Sequence, residues 1–195
     1  MSAQSHLTQG PPAGLFPAPA VLIVMGVSGS GKSTIGQHLA QRLNWPFEDG
    51  DRFHPATNIE KMHRGVPLTD EDRKPWLEAI AAWIDKTRRA GGHGVIACSA
   101  LKRRYRNMLI GSRQDVRLVY LKGGESLIDQ RIVHRHGHFM PAGLLHSQFE
   151  ALEEPTPDEN PITVSVEPRP DEIVSRILSA LDATTKAPGP QSKRR

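Results

Sequence analysis

The chain has 195 residues, enough for one domain with a substantial core, and 37 % of them are hydrophobic. Its formal charge of +4 comes entirely from Lys186, Lys193, Arg194 and Arg195, so residues 21–185 are balanced and a large basic face for nucleic acid is not expected. Cys98 is the only cysteine, which excludes an intramolecular disulfide and suits a reducing, cytoplasmic setting. No apolar run approaches the ~18 residues of a membrane span, and no secretory or mitochondrial leader is expected at the N-terminus.

Residues 1–20, rich in Pro, Ala and Gly, and the basic 186–195 read as disordered tails around one folded unit, 21–185. That unit opens with the apolar run Val21-Leu22-Ile23-Val24-Met25, of buried-strand length. Gly26-Val27-Ser28-Gly29-Ser30-Gly31-Lys32-Ser33 follows at once and fits the phosphate-loop pattern G-x-x-x-x-G-K-[ST]. Glycines allow successive amides to turn inward around an anion. Lys32 reaches the β- and γ-phosphates, and the Ser33 hydroxyl suits Mg²⁺. A helix over 32–43, with Ile35, Leu39 and Leu43 on one face, adds the positive end of its dipole, with Thr34 in the first turn. These residues, Gly26 to Thr34, are the expected binding site for ATP.

Further strands are expected at 46–49, 94–98, 116–121 and 162–166, and helices at 57–64, 70–89, 101–110, 125–136, 143–152 and 171–183. Alternation of apolar strands with helices predicts an α/β fold with a parallel sheet covered on both faces. Ligands then collect beyond the carboxyl ends of the strands. After the second strand, Asp49 and Asp51 share a face if the segment is extended. Asp49 is assigned to magnesium and Asp51 to the acceptor hydroxyl, whose proton it accepts; the alternative is a polar turn in which Asp49 caps a helix. Thr69-Asp70-Glu71-Asp72 caps the longest helix, and Trp76, Ile80 and Trp83 or Ile84 form its core stripe. Arg73 either binds an anionic group or pairs with Asp70 or Glu71.

After the third strand, Lys102 is the cation nearest the strand end and the best placed of its basic run to touch a ligand. No terminal Asp follows that strand, so the metal leans on Ser33, Asp49, water and the nucleotide. Arg131 and Arg135 lie on one helix face before a Gly- and Pro-broken stretch. They suit a lid, about 134–142, that closes positive charge over a transferring phosphoryl group. His134, His136 and His138 lack a matching ligand cluster, so structural zinc is not expected.

From Val21 to Val166 the chain resembles the gluconokinases, small phosphate-loop sugar-acid kinases related to shikimate and adenylate kinases. The resemblance rests on the loop, on Asp49–Leu77 (DGDRFHPATNIEKMHRGVPLTDEDRKPWL), on Cys98–Arg106 (CSALKRRYR) and on Gly137–Pro155 (GHFMPAGLLHSQFEALEEP). Asn107, where the family often carries an acid, is a small departure. The resemblance implies a P-loop NTPase fold with sheet order 2-3-1-4-5, a mobile lid and commonly a homodimer. It implies ATP- and Mg²⁺-dependent phosphorylation of D-gluconate at its terminal hydroxyl. By analogy with shikimate kinases, Asp49, Asp51 and Arg73 grip the acceptor, Arg73 through the carboxylate. His54, Lys61 and Lys102 are candidates for the polyol hydroxyls. Rival readings are a kinase of another sugar acid or polyol such as shikimate, a non-catalytic ATP-binding regulatory module, and a nucleic-acid end kinase.

Overall fold

The computed structural model describes residues 21–133 and 142–186. In chain order its strands are β1 (Val21–Met25), β2 (Phe47–Asp49), β3 (Gly94–Ala97), β4 (Val116–Lys122) and β5 (Ile162–Ser165). They form one sheet, all parallel, in the order β2-β3-β1-β4-β5. The helices are α1 (Lys32–Leu43), α2 (Ala56–His63), α3 (Asp70–Arg89), α4 (Arg103–Leu109), α5 (Glu125–Val133), α6 (Ala142–Ala151) and α7 (Pro170–Lys186).

β1 lies at the centre, paired with β3 from Val21↔Gly94 and with β4 as far as Met25↔Tyr120. All five of its residues are buried, because side chains alternate between two covered faces. Leu22 and Val24 pack with Leu39 of α1 and Ile177 of α7. Val21, Ile23 and Met25 pack with Trp76 and Ile80 of α3 and Leu109 of α4. Each such side chain contributes about 1.5–3 kcal/mol through burial. The α3 stripe runs through Trp76, Ile80 and Ile84, which settles the choice between Trp83 and Ile84.

Two expectations change. Asp49 and Asp51 do not share an extended strand, since β2 stops at Asp49 and Gly50–Phe53 coil into a 3₁₀ turn. Asp49 caps that turn by accepting from the Asp51 amide at 3.1 Å, which satisfies a donor left open at the helix start. The helix expected from 101 begins at Arg103, because Ala100 sits at φ 38° and Lys102 is extended. Of the helix expected over 125–136, residues 125–133 are helical and 134–136 lie outside the described residues. The lid expected over 134–142 also lies outside them, except for Ala142, which opens α6. Among the described residues no helix is long and apolar enough to cross a membrane.

Candidate active site

A cavity of about 590 Å³ opens beyond the carboxyl ends of β1, β2 and β3. Ser28 and Lys32 line it from the loop after β1, Asp51 and His54 from the turn after β2, and Ser99 to Lys102 from the segment after β3. Arg73 and Trp76 of α3, Tyr105 of α4 and Gln148 of α6 complete the wall.

The loop after β1 has the shape an anion requires. α1 starts from Gly31 in the left-handed region, with no side chain capping it and no acid in its first turn. The first-turn amides have no intrahelical acceptor and carry the positive end of the dipole, so the helix start fits a phosphate. Gly29, at φ 79°, has a second constraint: a Cβ there would lie 2.8 Å from Ile132 of α5. Lys32 Nζ donates to the Val27 carbonyl at 3.0 Å. Burial lowers its pKa, opposed chiefly by the negative charge of Asp51 and less by that of Asp49. A dianionic phosphate would supply the counter-charge this ammonium lacks.

Ser33 Oγ donates to Asp49 Oδ2 at 2.8 Å, joining the two residues expected to serve magnesium. Their hard oxygen donors fit Mg²⁺. No cluster of three or more His, Cys, Asp or Glu suited to a metal occurs among the described residues, so phosphate and water would fill the other positions.

Asp51 lines the cavity and is exposed to it, yet the surrounding walls desolvate its carboxyl. That desolvation raises its pKa against the lowering effect of Lys32, and Asp49 raises it further. Gly50 holds the turn close to β3: its own Cβ would meet the Ala97 carbonyl at 2.4 Å. Trp76 Nε1 donates to the Gly50 carbonyl at 2.7 Å, and the Trp76 ring stacks on His54 at 4.4 Å and 9°. Burial and then the Arg73 charge press the His54 pKa down to about 4. Asn58 Nδ2 donates to the Asp72 carbonyl at 2.7 Å and lies 3.4 Å from His54 Nδ1. An amide nitrogen only donates, so His54 Nδ1 accepts and Nε2 keeps the proton. His54, a lining residue, is therefore neutral near pH 7.

The expected binding cations separate into three groups. Arg73 lines the cavity, and among the described residues its guanidinium has no hydrogen-bond or ion-pair partner. Lys102 also lines the cavity but pairs with Asp70 at 3.1 Å. Lys61 is absent from the wall because it pairs with Asp72 at 2.6 Å and, with Asn58, pins α2 to the capped start of α3. Arg131 donates to the Val166 carbonyl at 2.5 Å and is also absent from the wall. Arg135 lies outside the described residues.

Sequence reading missed Asp70, Tyr105 and Gln148 as cavity residues. Asp70 accepts from the Tyr105 hydroxyl and the Arg104 guanidinium as well as from Lys102. Gln148 Oε1 accepts from the Ser28 amide at 2.7 Å, tying α6 to the phosphate loop. The sequence places Gln148 on the helix expected over 143–152 and within the family resemblance, but its spacing there carries no chemical signal. Trp76 was assigned to the core, where it lies, but it also floors the cavity.

The family model for shikimate kinase matches residues 28–182. A gluconokinase of Gluconobacter oxydans is 45 % identical over 165 residues, which cover 85 % of this chain and 93 % of that one. The thermosensitive gluconokinase of Escherichia coli is 49 % identical over 140 residues, 72 % of this chain and 75 % of that one. The crystal structure of a gluconokinase from Sinorhizobium meliloti superposes with a TM-score of 0.79 at 43 % identity, covering 86 % and 94 % of the two chains. A shikimate kinase from Aquifex aeolicus, at 19 % identity and a TM-score of 0.54, shares the fold. Matched over most of its length to relatives at these identities, the chain belongs to the gluconokinase family.

Proposed function

We propose that this protein is a gluconokinase, transferring the γ-phosphoryl group of ATP to the terminal hydroxyl of D-gluconate to give 6-phosphogluconate and ADP. The observation that carries the reading is a single cavity lined by a phosphate-loop lysine, a carboxylate with a raised pKa and an arginine unpaired among the described residues. Transfer of this kind depends on positioning and charge more than on covalent chemistry. Loop amides and Lys32 hold the phosphates. Ser33 and Asp49 would hold Mg²⁺, which would supply positive charge beside the phosphate oxygens. Asp51 orients the hydroxyl and accepts its proton, while Arg73 takes the carboxylate at the acceptor's other end. The neutral His54 N–H and Lys102 suit the hydroxyls between them. Arg131 and Arg135 remain candidates for closing over the phosphoryl group.

A panel of sugar acids and polyols, given with ATP and Mg²⁺ and followed by coupled ADP detection, tests the reading. Gluconate is expected to give the highest kcat/KM. A higher value for shikimate would move the enzyme to another acceptor, and ATP binding without acceptor-dependent ADP release would make it a regulatory module.

A further inference from the structure

We propose that Asp70 selects the charge of the acceptor's anionic end, admitting a carboxylate and disfavouring a phosphate dianion. The inference deepens the kinase reading above and rests on it. Asp70 opens α3 and faces the cavity. Its carboxylate receives the Tyr105 hydroxyl, Lys102 Nζ at 3.1 and 3.4 Å, and the Arg104 guanidinium. Both cations also lie over the Tyr105 ring, 5.8 and 5.6 Å from its centroid. Two of the cations at this end are therefore committed to one acid.

Arg73 lies three residues further along α3, one turn away, and is unpaired among the described residues. Its charge acts on Tyr105 and on His54, so it belongs to the same end of the cavity. Counting Asp70 and Glu71 against Arg73, Lys102 and Arg104 leaves one positive charge at this end. One carboxylate neutralises it. A phosphate dianion brings a second negative charge that meets Asp70 without compensation. At the separations of a small cavity containing water, one such uncompensated charge weakens binding by on the order of tenfold. Specificity then comes from a repulsive element as well as from Arg73.

The plain alternative is that Asp70 only ties α3 to α4. It predicts lost stability with no change in charge preference, so the test reads preference. Three probes share the six-carbon chain and the free C6 alcohol of gluconate: neutral D-glucitol, monoanionic D-gluconate and dianionic D-glucitol 1-phosphate, whose phosphate stands in place of the C1 carboxylate. Their affinities are measured on the full chain by inhibition or turnover, and independently by ligand-induced thermal shift. In Asp70→Asn the affinity of the dianion relative to gluconate is expected to rise by on the order of tenfold, with glucitol unchanged. Arg104→Gln, at an exposed side chain, leaves Asp70 less compensated and is expected to move the ratio the opposite way. An unchanged ratio in both variants overturns the proposal whatever happens to stability. Should Asp70→Asn not fold, Arg104→Gln decides alone. Failure of the wild-type chain to phosphorylate gluconate would strike the kinase reading, while the thermal-shift ratios would still judge Asp70.

Discussion

At Asp51 desolvation by the cavity walls outweighs the nearby Lys32 ammonium, and the carboxyl titrates above its ordinary range. An acid with a raised pKa keeps its proton to higher pH, so a base at this position gains function as pH rises through that raised value. The acid limb of kcat/KM is accordingly expected above the usual carboxylate range. Asp51→Asn should abolish the limb and cost about 2–5 kcal/mol of transition-state stabilisation. A variant that changes only KM and retains the limb would reduce Asp51 to a binding group. The cavity positions of Lys32 and Asp51 were legible in the sequence, because both follow the carboxyl end of an expected strand. Asp70 and Gln148 were not, since their partners stand 35 and 120 residues away. No local pattern encodes a contact at that separation. Arg73 was only half legible: sequence offered an ion pair with Asp70 or Glu71, and the fold gives Asp70 to α4 instead.

Among the elements, the segment between β3 and α4 is the most constrained part of the cavity wall. Ala100 adopts a left-handed φ of 38° without being glycine, a conformation that persists only when its surroundings hold it. Arg106 holds it. This side chain, 1 % exposed, donates to the carbonyls of Ala100, Leu101 and Glu153, and pairs with Glu159, itself 7 % exposed. Removing Arg106 deprives the Glu159 carboxylate of its counter-charge and takes one donor from each of three carbonyls, of which Leu101 keeps the Glu153 amide, so Arg106→Met should cost about 3–5 kcal/mol of folding free energy. Urea denaturation measures it, and a loss under about 1 kcal/mol would mean that the carbonyls find other partners. The helices themselves were foreseeable from apolar periodicity, with α1 and α3 at their expected bounds. The 3₁₀ turn at Gly50–Phe53 is the polar turn capped by Asp49 that stood as the alternative reading of its segment, whereas the one at Pro157–Glu159 was not foreseen. A single turn is too short to show a period.

For the whole molecule, the cavity draws on three strand ends and on the helices α1, α2, α3, α4 and α6. Anything that binds the folded chain and not the unfolded one stabilises it by mass action. ATP with Mg²⁺ at about a hundred times its dissociation constant should add roughly 2.7 kcal/mol, and gluconate should add a further increment. Calorimetric scans with each reactant and with both check this, and an unmoved midpoint with nucleotide would contradict the phosphate-loop assignment. The parallel architecture was legible because apolar strands without alternation must be covered on both faces, whereas the strand order came from family resemblance. That architecture has a practical corollary. β1 enters the sheet at Val21, on the rim opposite the opening, and runs about 16 Å before reaching the phosphate loop. A tether joined ahead of Val21, for immobilising the enzyme on a sensor or a bead, therefore attaches to the back of the molecule and leaves the mouth through which both reactants pass facing the solution.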